Sequence, residues 1–196
     1  PLMTLDIRAF LFDLDGVITD TAEFHYLSWK RLCEEEGIPF TREDNDQLRG
    51  VSRRESLNRI LKGRAIDEAT AQAWMDRKQG YYLQYLDTIT PDMALPGVRD
   101  LLLEAKSLGI KRAVASASKN AKPALEKLEL IDLFDAIGDG YSVVHTKPAP
   151  DLFIWTAGRL DITPTQGIVF EDAEAGIDAA LKGGFWTIGL GSADVS

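Results

Sequence analysis

A short apolar run that ends in two carboxylates constrains this chain more than any other stretch of its sequence. The run Ala9-Phe10-Leu11-Phe12 is followed by Asp13-Leu14-Asp15-Gly16. Consecutive apolar residues predict a strand buried on both faces, which is typical of a parallel sheet covered by helices. Side chains two positions apart in a strand share a face, and ligands bind at the C-terminal edge of such sheets. Asp13 and Asp15 are therefore candidate functional residues, although Asp is also common at ordinary strand-to-loop junctions and this stretch alone leaves both interpretations open.

Strand and helix patterns alternate from Asp92 onwards. Strands are predicted over about 112–115, 136–138, 168–170 and 186–189, and helices over about 96–107, 121–128, 151–159 and 173–182. Repeated strand–helix units predict a parallel sheet with right-handed crossovers. The predicted fold class is therefore α/β, with a Rossmann-like parallel sheet as its core.

The residues between the first strand and Thr90 show helical periodicity and no strand pattern. Helices are predicted over about 21–36, 43–48, 54–61 and 67–86, with Thr21 as the N-cap of the first. The spaced apolar residues of the long helix include Ala69, Ala73, Leu83 and Leu86. We interpret residues 18–90 as an all-helical cap domain inserted into a catalytic core made of residues 1–17 and 91–196.

A basic stretch, Arg49-Gly50-Val51-Ser52-Arg53-Arg54, lies between the two short helices. A loop that runs into a helix offers backbone N–H groups and cations to an anion. The alternative is a solvated basic turn, which most charge clusters are. The stretch is more noteworthy in a chain as acidic as this one.

Charge and cysteine content limit the partners and the compartment. The 196-residue chain has a formal net charge of −9, which argues against nucleic acid as a partner. Such a chain must bind a phosphorylated ligand through local cations or a metal ion. Cys33 is the only cysteine, which fits a reducing compartment. With no secretion signal and no apolar run of membrane length, we expect a cytoplasmic monomer that binds neither nucleic acid nor membranes.

Polar residues follow three of the predicted strands, and these strand ends meet on one edge of a parallel sheet. They are Asp13 and Asp15, Ser116 and Ser118, and Glu171 and Asp172, with Lys147 in a loop before a helix. Carboxylates bind Mg²⁺ and can accept a phosphoryl group, whose oxygens hydroxyls and an ammonium can bind. A second carboxyl supplies acid–base chemistry, and the spacing alone permits either Asp to be the nucleophile. No Walker A, G-x-S-x-G or zinc-binding pattern is present.

Taken in the order of the chain, these four groups resemble the four motifs of the haloacid dehalogenase superfamily. More narrowly, the stretches FDLDGVITDTAEFHYLSWK, RGVSRRESL, ASASKN, KPAPDLF and EDAEAGI are similar to the β-phosphoglucomutase family. This resemblance implies Mg²⁺-dependent interconversion of β-glucose 1-phosphate and glucose 6-phosphate. The reaction would pass through an aspartyl-phosphate enzyme and β-glucose 1,6-bisphosphate, so the expected partner is a small sugar phosphate.

The resemblance also implies roles for residues of the core. Asp13 would be the phosphorylated nucleophile and Asp15 the general acid/base. The Mg²⁺ ligands would be Asp13, the backbone carbonyl of Asp15, and Asp172, with Glu171 nearby. The transferring phosphoryl group would be bound by Ser116 and Lys147, and the other phosphate by Ser118, Lys119 and Asn120, with Ala117 in the same turn.

Further roles are implied for the helical insert. Arg53 would bind the second phosphate, and Thr21, His25 and Lys78 would set the acid/base group as the cap closes. Trp29, Gly50, Val51 and Ser52 would face the substrate. Arg49 stands where the family is expected to have Lys, so the charge is kept but the geometry differs.

The mutase has three alternatives, of which two are enzymes and one is a non-catalytic protein. A sugar-phosphate phosphatase of the same fold shares the core motifs, and His25 and the basic stretch favour the mutase over it. A dehalogenase does not call for the second Asp or the phosphate ligands. Relatives are expected to continue with another strand and helix, so the chain is expected to be a fragment or a truncated form, which keeps a catalytically inactive phosphate-binding homologue open.

Overall fold

The computed structural model describes residues 4–191, and the strands within them form one parallel sheet. The strands are β1 (Ala9–Phe12), β2 (Lys111–Ala115), β3 (Ala136–Gly138), β4 (Gly167–Glu171) and β5 (Trp186–Gly189). They lie in the order β3-β2-β1-β4-β5, and every neighbouring pair is parallel. The predicted α/β class and parallel sheet are confirmed.

The central strand β1 is buried on both faces, which explains its apolar sequence. Ala9 and Leu11 point into one hydrophobic cluster, whereas Phe12 points into the cluster on the opposite face. Phe12 lies opposite Val114 of β2 and Phe170 of β4. This register brings the C-terminal ends of the three strands level, so residues that follow them share one edge of the sheet.

Helices precede and follow the strands. Those before β2 are α1 (Ala22–Glu36), α2 (Arg42–Asp46), α3 (Arg53–Leu61), α4 (Glu68–Leu86) and α5 (Val98–Ser107). Those after β2 are α6 (Ala121–Lys127), α7 (Asp151–Arg159) and α8 (Glu174–Lys182). The predicted bounds differ from these by at most two residues at each end, and the predicted range of α5 began two residues early because it included the turn at Pro96-Gly97.

The segment with α1–α4, residues 18–90, has a hydrophobic cluster of its own. Trp29 and Leu32 of α1, Leu57 and Ile60 of α3, and Met75 of α4 belong to it. We call residues 18–90 the helical segment. These apolar side chains pack on one another, whereas Ile18, Tyr82, Leu86 and Ile89 of the same segment join the cluster on one face of the sheet.

Two stretches of chain connect the helical segment to the sheet, and they are hydrogen-bonded to each other. Thr19 forms an antiparallel bridge with Ala94, and Leu95 N–H donates to the Ile18 carbonyl at 2.8 Å. The Thr19 hydroxyl also donates to the Met93 carbonyl at 2.7 Å. The outgoing and returning chains therefore cross side by side.

The buried face of α4 differs from the predicted one. Ala69, Ala73 and Leu83 are exposed, and of the predicted apolar face only Leu86 is buried. The buried side chains are Ala71, Met75, Lys78, Tyr82 and Leu86. A lysine and a tyrosine occupy this face because they serve the site described below, so apolar periodicity did not find it.

Thr21 precedes α1 as predicted but makes no capping hydrogen bond. Its hydroxyl donates to the Asp15 carboxylate instead, so Thr21 contributes to the site and does not cap the helix. Among the described helices, none combines the length and apolar character that a membrane crossing requires.

Candidate active site

A buried lysine joins two carboxylates at the C-terminal edge of the sheet. Lys147 Nζ lies 2.9 Å from Asp13 Oδ1 and 2.8 Å from Glu171 Oε2, and it donates to the Ala115 carbonyl at 2.8 Å. The Lys147 side chain is fully buried, as is that of Glu171, and Asp13 is nearly so. We call these three residues the lysine–carboxylate cluster. The two carboxylates raise the pKa of Lys147 by more than burial lowers it, so the ammonium stays charged.

The second oxygen of Glu171 organises the backbone that follows it. Its Oε1 accepts hydrogen bonds from the backbone N–H of Asp172 at 3.0 Å and of Ala173 at 3.2 Å. Both oxygens of Glu171 are thus engaged, and Asp172 is directed toward Asp13. Burial and the charge of Asp13 raise the pKa of Asp172 to about 6, although Arg49 opposes this at 2.9 Å.

The donor set at this edge fits a hard divalent cation. Carboxylate oxygens of Asp13, Glu171 and Asp172 lie within 4.8 Å of one another. Lys147 neutralises only part of their charge, and oxygen donors are what Mg²⁺ prefers. The residues present therefore suit the metal ion that the sequence motifs imply.

Two glycines make this close approach possible. Gly16 has φ +83° in the turn after Asp15, and a Cβ there would overlap the Asp172 carboxylate. A Cβ on Gly176 in α8 would overlap the Glu171 carboxylate. The first is part of the motif singled out in the sequence, and the second lies in the EDAEAGI stretch, where no role was assigned to it.

Asp15 does not join the lysine–carboxylate cluster but faces the helical segment. Its carboxylate accepts from the Thr21 hydroxyl and lies 3.4 Å from His25 Nε2. Lys78 Nζ lies 2.9 Å from His25 Nδ1. Because an ammonium donates only, Nδ1 accepts, and the proton on Nε2 is directed toward Asp15.

We call Asp15, His25 and Lys78 the Asp15 row, and their protonation follows from their contacts. Burial raises the pKa of Asp15, but the contacts with His25 and Thr21 together lower it by more than burial raises it. The pKa of Asp15 therefore lies below its usual value. Burial and the Lys78 charge hold the pKa of His25 below its usual value. Burial, with Arg53 nearby, lowers the pKa of Lys78 from 10.5 to about 7. In this arrangement Asp15 is ionised and ready to accept a proton.

Tyr82 was not predicted as a site residue, yet it supports this row. Its ring stacks on the His25 imidazole with centroids 4.3 Å apart. Lys78 Nζ lies 5.0 Å from the Tyr82 ring and 5.3 Å from the Trp29 ring. The aromatic rings thus hold the lysine and the histidine in place. No sequence pattern marked Tyr82, because it looks like an ordinary core aromatic.

The polar turn after β2 folds back on itself. Ser116 Oγ accepts from the Ser118 N–H and Ser118 Oγ accepts from the Asn120 N–H, both at 3.1 Å. These contacts order the turn that carries Ala117 and Lys119. The amide of Asn120 also pairs with that of Gln79 on α4, another residue that the sequence did not indicate.

One cavity of about 360 Å³ gathers most of the predicted residues. Its lining includes Asp13, Asp15, His25, Trp29, Arg49, Gly50, Val51, Ser52, Arg53, Lys78, Ser116, Ala117, Ser118, Lys119, Asn120 and Asp172. Three predicted residues are buried behind the cavity wall and contact residues that line it. Thr21 contacts Asp15, Lys147 contacts Asp13, and Glu171 contacts the backbone of Asp172. Met75 and Val144 also line the cavity and were not predicted.

Comparisons with known proteins found a matching family model and similar proteins. The family model described as haloacid dehalogenase-like hydrolase matches residues 7–184. A β-phosphoglucomutase of Bacillus subtilis is 43% identical, over 94% of this chain and 84% of its own. A phosphatase of Thermotoga maritima that acts on phosphorylated carbohydrates is 30% identical, over 91% of this chain and 82% of its own.

A solved structure shares both the fold and much of the sequence. The crystal structure of a β-phosphoglucomutase from Clostridium difficile superposes with a TM-score of 0.92 at 41% identity. The match covers 95% of this chain and 85% of the crystallised one.

Proposed function

Because the chain belongs to the haloacid dehalogenase-like hydrolase family, we propose that it catalyses the β-phosphoglucomutase reaction. It interconverts β-glucose 1-phosphate and glucose 6-phosphate through an aspartyl-phosphate enzyme and β-glucose 1,6-bisphosphate. The Bacillus and Clostridium relatives, each more than 40% identical, support this activity. The observation that carries the proposal is that Asp15, two residues from the buried Asp13, faces helical-segment residues.

Mg²⁺ fits the proposed reaction. Asp13, Asp172 and the backbone carbonyl of Asp15 would hold it, and it would neutralise charge on the phosphoryl oxygens. Glu171 acts beside the metal because its two oxygens already bind Lys147 and the backbone of Asp172 and Ala173. Arg49 contacts Asp172 at 2.9 Å, so it would have to release that carboxylate for Asp172 to hold the metal.

Asp13 is the nucleophile. When Asp13 takes the phosphoryl group from the bisphosphate, one of its carboxylate oxygens attacks phosphorus, the bond between phosphorus and the sugar oxygen breaks, and that oxygen takes back the proton that Asp15 accepted in the transfer to the sugar. Lys147 and Ser116 bind the transferring phosphoryl oxygens. In the transfer from the aspartyl phosphate to the sugar, which comes first, the ionised Asp15 accepts the proton of a sugar hydroxyl, that hydroxyl oxygen attacks phosphorus, and the bond between phosphorus and the Asp13 oxygen breaks.

Residues 18–90 act as the cap, and residues 1–17 with 91–196 as the catalytic core. Asp15 takes its proton-handling geometry from Thr21 and His25, which belong to the cap. The acid/base group is therefore set only when the cap lies against the core, which excludes water and favours a sugar hydroxyl as acceptor. We further propose that the protein is a cytoplasmic monomer, since one chain supplies every group of this site.

Phosphatase activity on sugar phosphates is the second candidate, and the Thermotoga relative favours it. The two activities share the lysine–carboxylate cluster and differ in whether a sugar or water receives the phosphoryl group. A mutase needs the Asp15 row to serve a sugar hydroxyl, and the contacts of Thr21 and His25 with Asp15 support that use.

The test is to incubate the protein with β-glucose 1-phosphate, Mg²⁺ and a trace of β-glucose 1,6-bisphosphate. Glucose 6-phosphate is the expected product. Release of inorganic phosphate without glucose 6-phosphate would establish the phosphatase instead. If neither product forms while the sugar phosphate still binds, the protein is an inactive phosphate-binding homologue.

A further inference from the structure

The three arginines of the basic stretch differ in what neutralises them. Arg49 pairs with Asp172 at 2.9 Å, and Arg54 pairs with a surface glutamate. In residues 4–191, no carboxylate lies within ion-pair distance of Arg53, which donates instead to the side-chain oxygen of Gln79. A neutral amide thus holds Arg53 without cancelling its positive charge.

The orientation of the Gln79 amide follows from donor chemistry. A guanidinium only donates hydrogen bonds, so the oxygen of Gln79 must face Arg53. Its Nε2 then donates to Asn120 Oδ1 at 2.6 Å, and Asn120 Nδ2 donates back to Gln79 Oε1 at 3.1 Å. We call Arg53, Gln79 and Asn120 the amide bridge.

The amide bridge joins three separate elements at the cavity wall. Arg53 begins α3, Gln79 lies on α4, and Asn120 follows β2 and is 5% exposed. The bridge therefore spans from the helical segment to the sheet edge. It places a guanidinium and a carboxamide side by side, and both can donate to the oxygens of one phosphate.

The surroundings of the bridge carry excess positive charge. Lys119 lines the same cavity as Arg53, and so does Lys78, which is charged in part because burial and the nearby Arg53 lower its pKa to about 7. A chain with a formal net charge of −9 has concentrated cations here. The lysine–carboxylate cluster lies at the other end of the cavity, so the two ends suit a ligand with two phosphates.

Resting on the proposed function, we propose that Gln79 is a positioning residue for the phosphate that is not attached to Asp13. It holds Arg53 and Asn120 at one point of the cavity wall while the site is empty. When a sugar phosphate binds, a phosphate oxygen replaces the Gln79 oxygen on Arg53, and Gln79 remains paired with Asn120.

Neutrality is the property that this role requires. Glu has almost the same shape as Gln, but as a carboxylate it would form an ion pair with Arg53. An incoming phosphate would then have to displace a negative charge and remain near it. Gln79→Glu therefore tests the position of the charge while keeping the packing.

The experiment compares Gln79→Glu and Gln79→Met with Gln84→Glu, a control that makes the same charge change at an exposed position of α4. Three quantities are measured with Mg²⁺: KM and kcat for β-glucose 1-phosphate, glucose 6-phosphate affinity by calorimetry, and hydrolysis of acetyl phosphate. Acetyl phosphate carries a single phosphate and needs only the Asp13 end. Gln79→Glu should raise KM and weaken glucose 6-phosphate binding about tenfold or more, with kcat and acetyl phosphate hydrolysis nearly unchanged.

Gln79→Met removes the bridge without adding charge, so it should weaken binding by less than Gln79→Glu, and Gln84→Glu should change nothing. Unchanged binding in both Gln79 variants overturns the inference, as does an equal loss of acetyl phosphate hydrolysis, which would indicate a general structural defect. A parent protein that binds glucose 6-phosphate but makes no product fails the proposed function alone, because calorimetry still tests Gln79. A parent that binds no sugar phosphate overturns both.

Discussion

The two ends of the cavity are built in opposite ways. At the sheet edge, the lysine–carboxylate cluster places Lys147 within 2.9 Å of two buried carboxylates, and those contacts come from loops and strand ends. At the far end, Arg53 is held by the neutral Gln79 amide, and the contacts come from helices of a separate segment. The first end fixes its charges by pairing them, whereas the second keeps a positive charge unpaired for a ligand. The first end therefore suits the covalent step of the proposed reaction, and the second suits a ligand that takes the place of the Gln79 oxygen on Arg53.

The largest effect is expected from Asp13→Asn at the sheet edge. Asn keeps an oxygen near Lys147 but cannot accept a phosphoryl group, so turnover should fall at least about a thousandfold. Steady-state rates and the mass of the phosphorylated protein measure this. Asp87→Asn, at an exposed end of α4, is the matched control and should leave turnover unchanged. Turnover that survives Asp13→Asn would show that the nucleophile lies elsewhere.

Lys147→Met should have the largest effect on stability. It leaves two carboxylates buried without their cation, which costs about 3–5 kcal/mol when one partner of a buried pair is removed. Lys62→Met removes a largely exposed lysine that pairs with Asp44, and it should cost less than about 1 kcal/mol. Urea unfolding measures both values. Equal losses would mean that burial does not distinguish the two ion pairs.

Replacing one glycine in a helix of each region should change the free energy of unfolding by smaller amounts and in opposite directions. Gly176→Ala places a Cβ against the Glu171 carboxylate and should lower the free energy of unfolding by about 1–3 kcal/mol. Gly80→Ala, in α4, meets no atom within 4 Å and should raise it by about 0.5–1 kcal/mol through helix propensity. Thermal or urea unfolding decides the signs. A gain in both variants would show that α8 can move away from Glu171.

The smallest effect is a pH dependence at the far end. The pKa of Lys78 is about 7 in the folded protein and 10.5 in its ordinary state. The unfolded chain therefore binds more protons between these values, and the cost of burying Lys78 is full below about pH 7 and fades as pH rises. Lys78→Met should be more stable than the parent by about 1 kcal/mol near pH 6 and by less near pH 9. An equal difference at both pH values would contradict the lowered pKa.

The same comparison explains how far sequence reasoning reaches. Asp13, Lys147 and Glu171 could be brought together in advance, because a parallel sheet places the ends of its strands on one edge. Apolar runs marked the strands for the same reason, since β1 is buried on both faces. The fold and the sheet side of the site therefore follow from backbone topology.

The helical side could not be predicted in the same way. The predicted face of α4 was wrong because Lys78 and Tyr82 occupy the buried face, and a pattern of apolar residues ignores a lysine there. Gln79 was missed because its contacts come from α3 and from the turn after β2, which are distant in sequence. For Thr21, local sequence indicated only a helix cap, and its place beside Asp15 was implied by the family resemblance alone. These roles depend on how helices pack, and local sequence does not encode that packing.

The paired crossing chains at Thr19 and Ala94 also have a mechanical consequence. A segment joined to the sheet by one flexible connection can rotate in any direction. Two connections that are hydrogen-bonded to each other leave mainly one rotation that is easy. The Thr19–Ala94 bridge and the hydrogen bond from Thr19 to Met93 join the two connections of the helical segment in this way. We therefore expect any rotation of the helical segment against the sheet to follow mainly one direction and to return His25 and Arg53 to the same places.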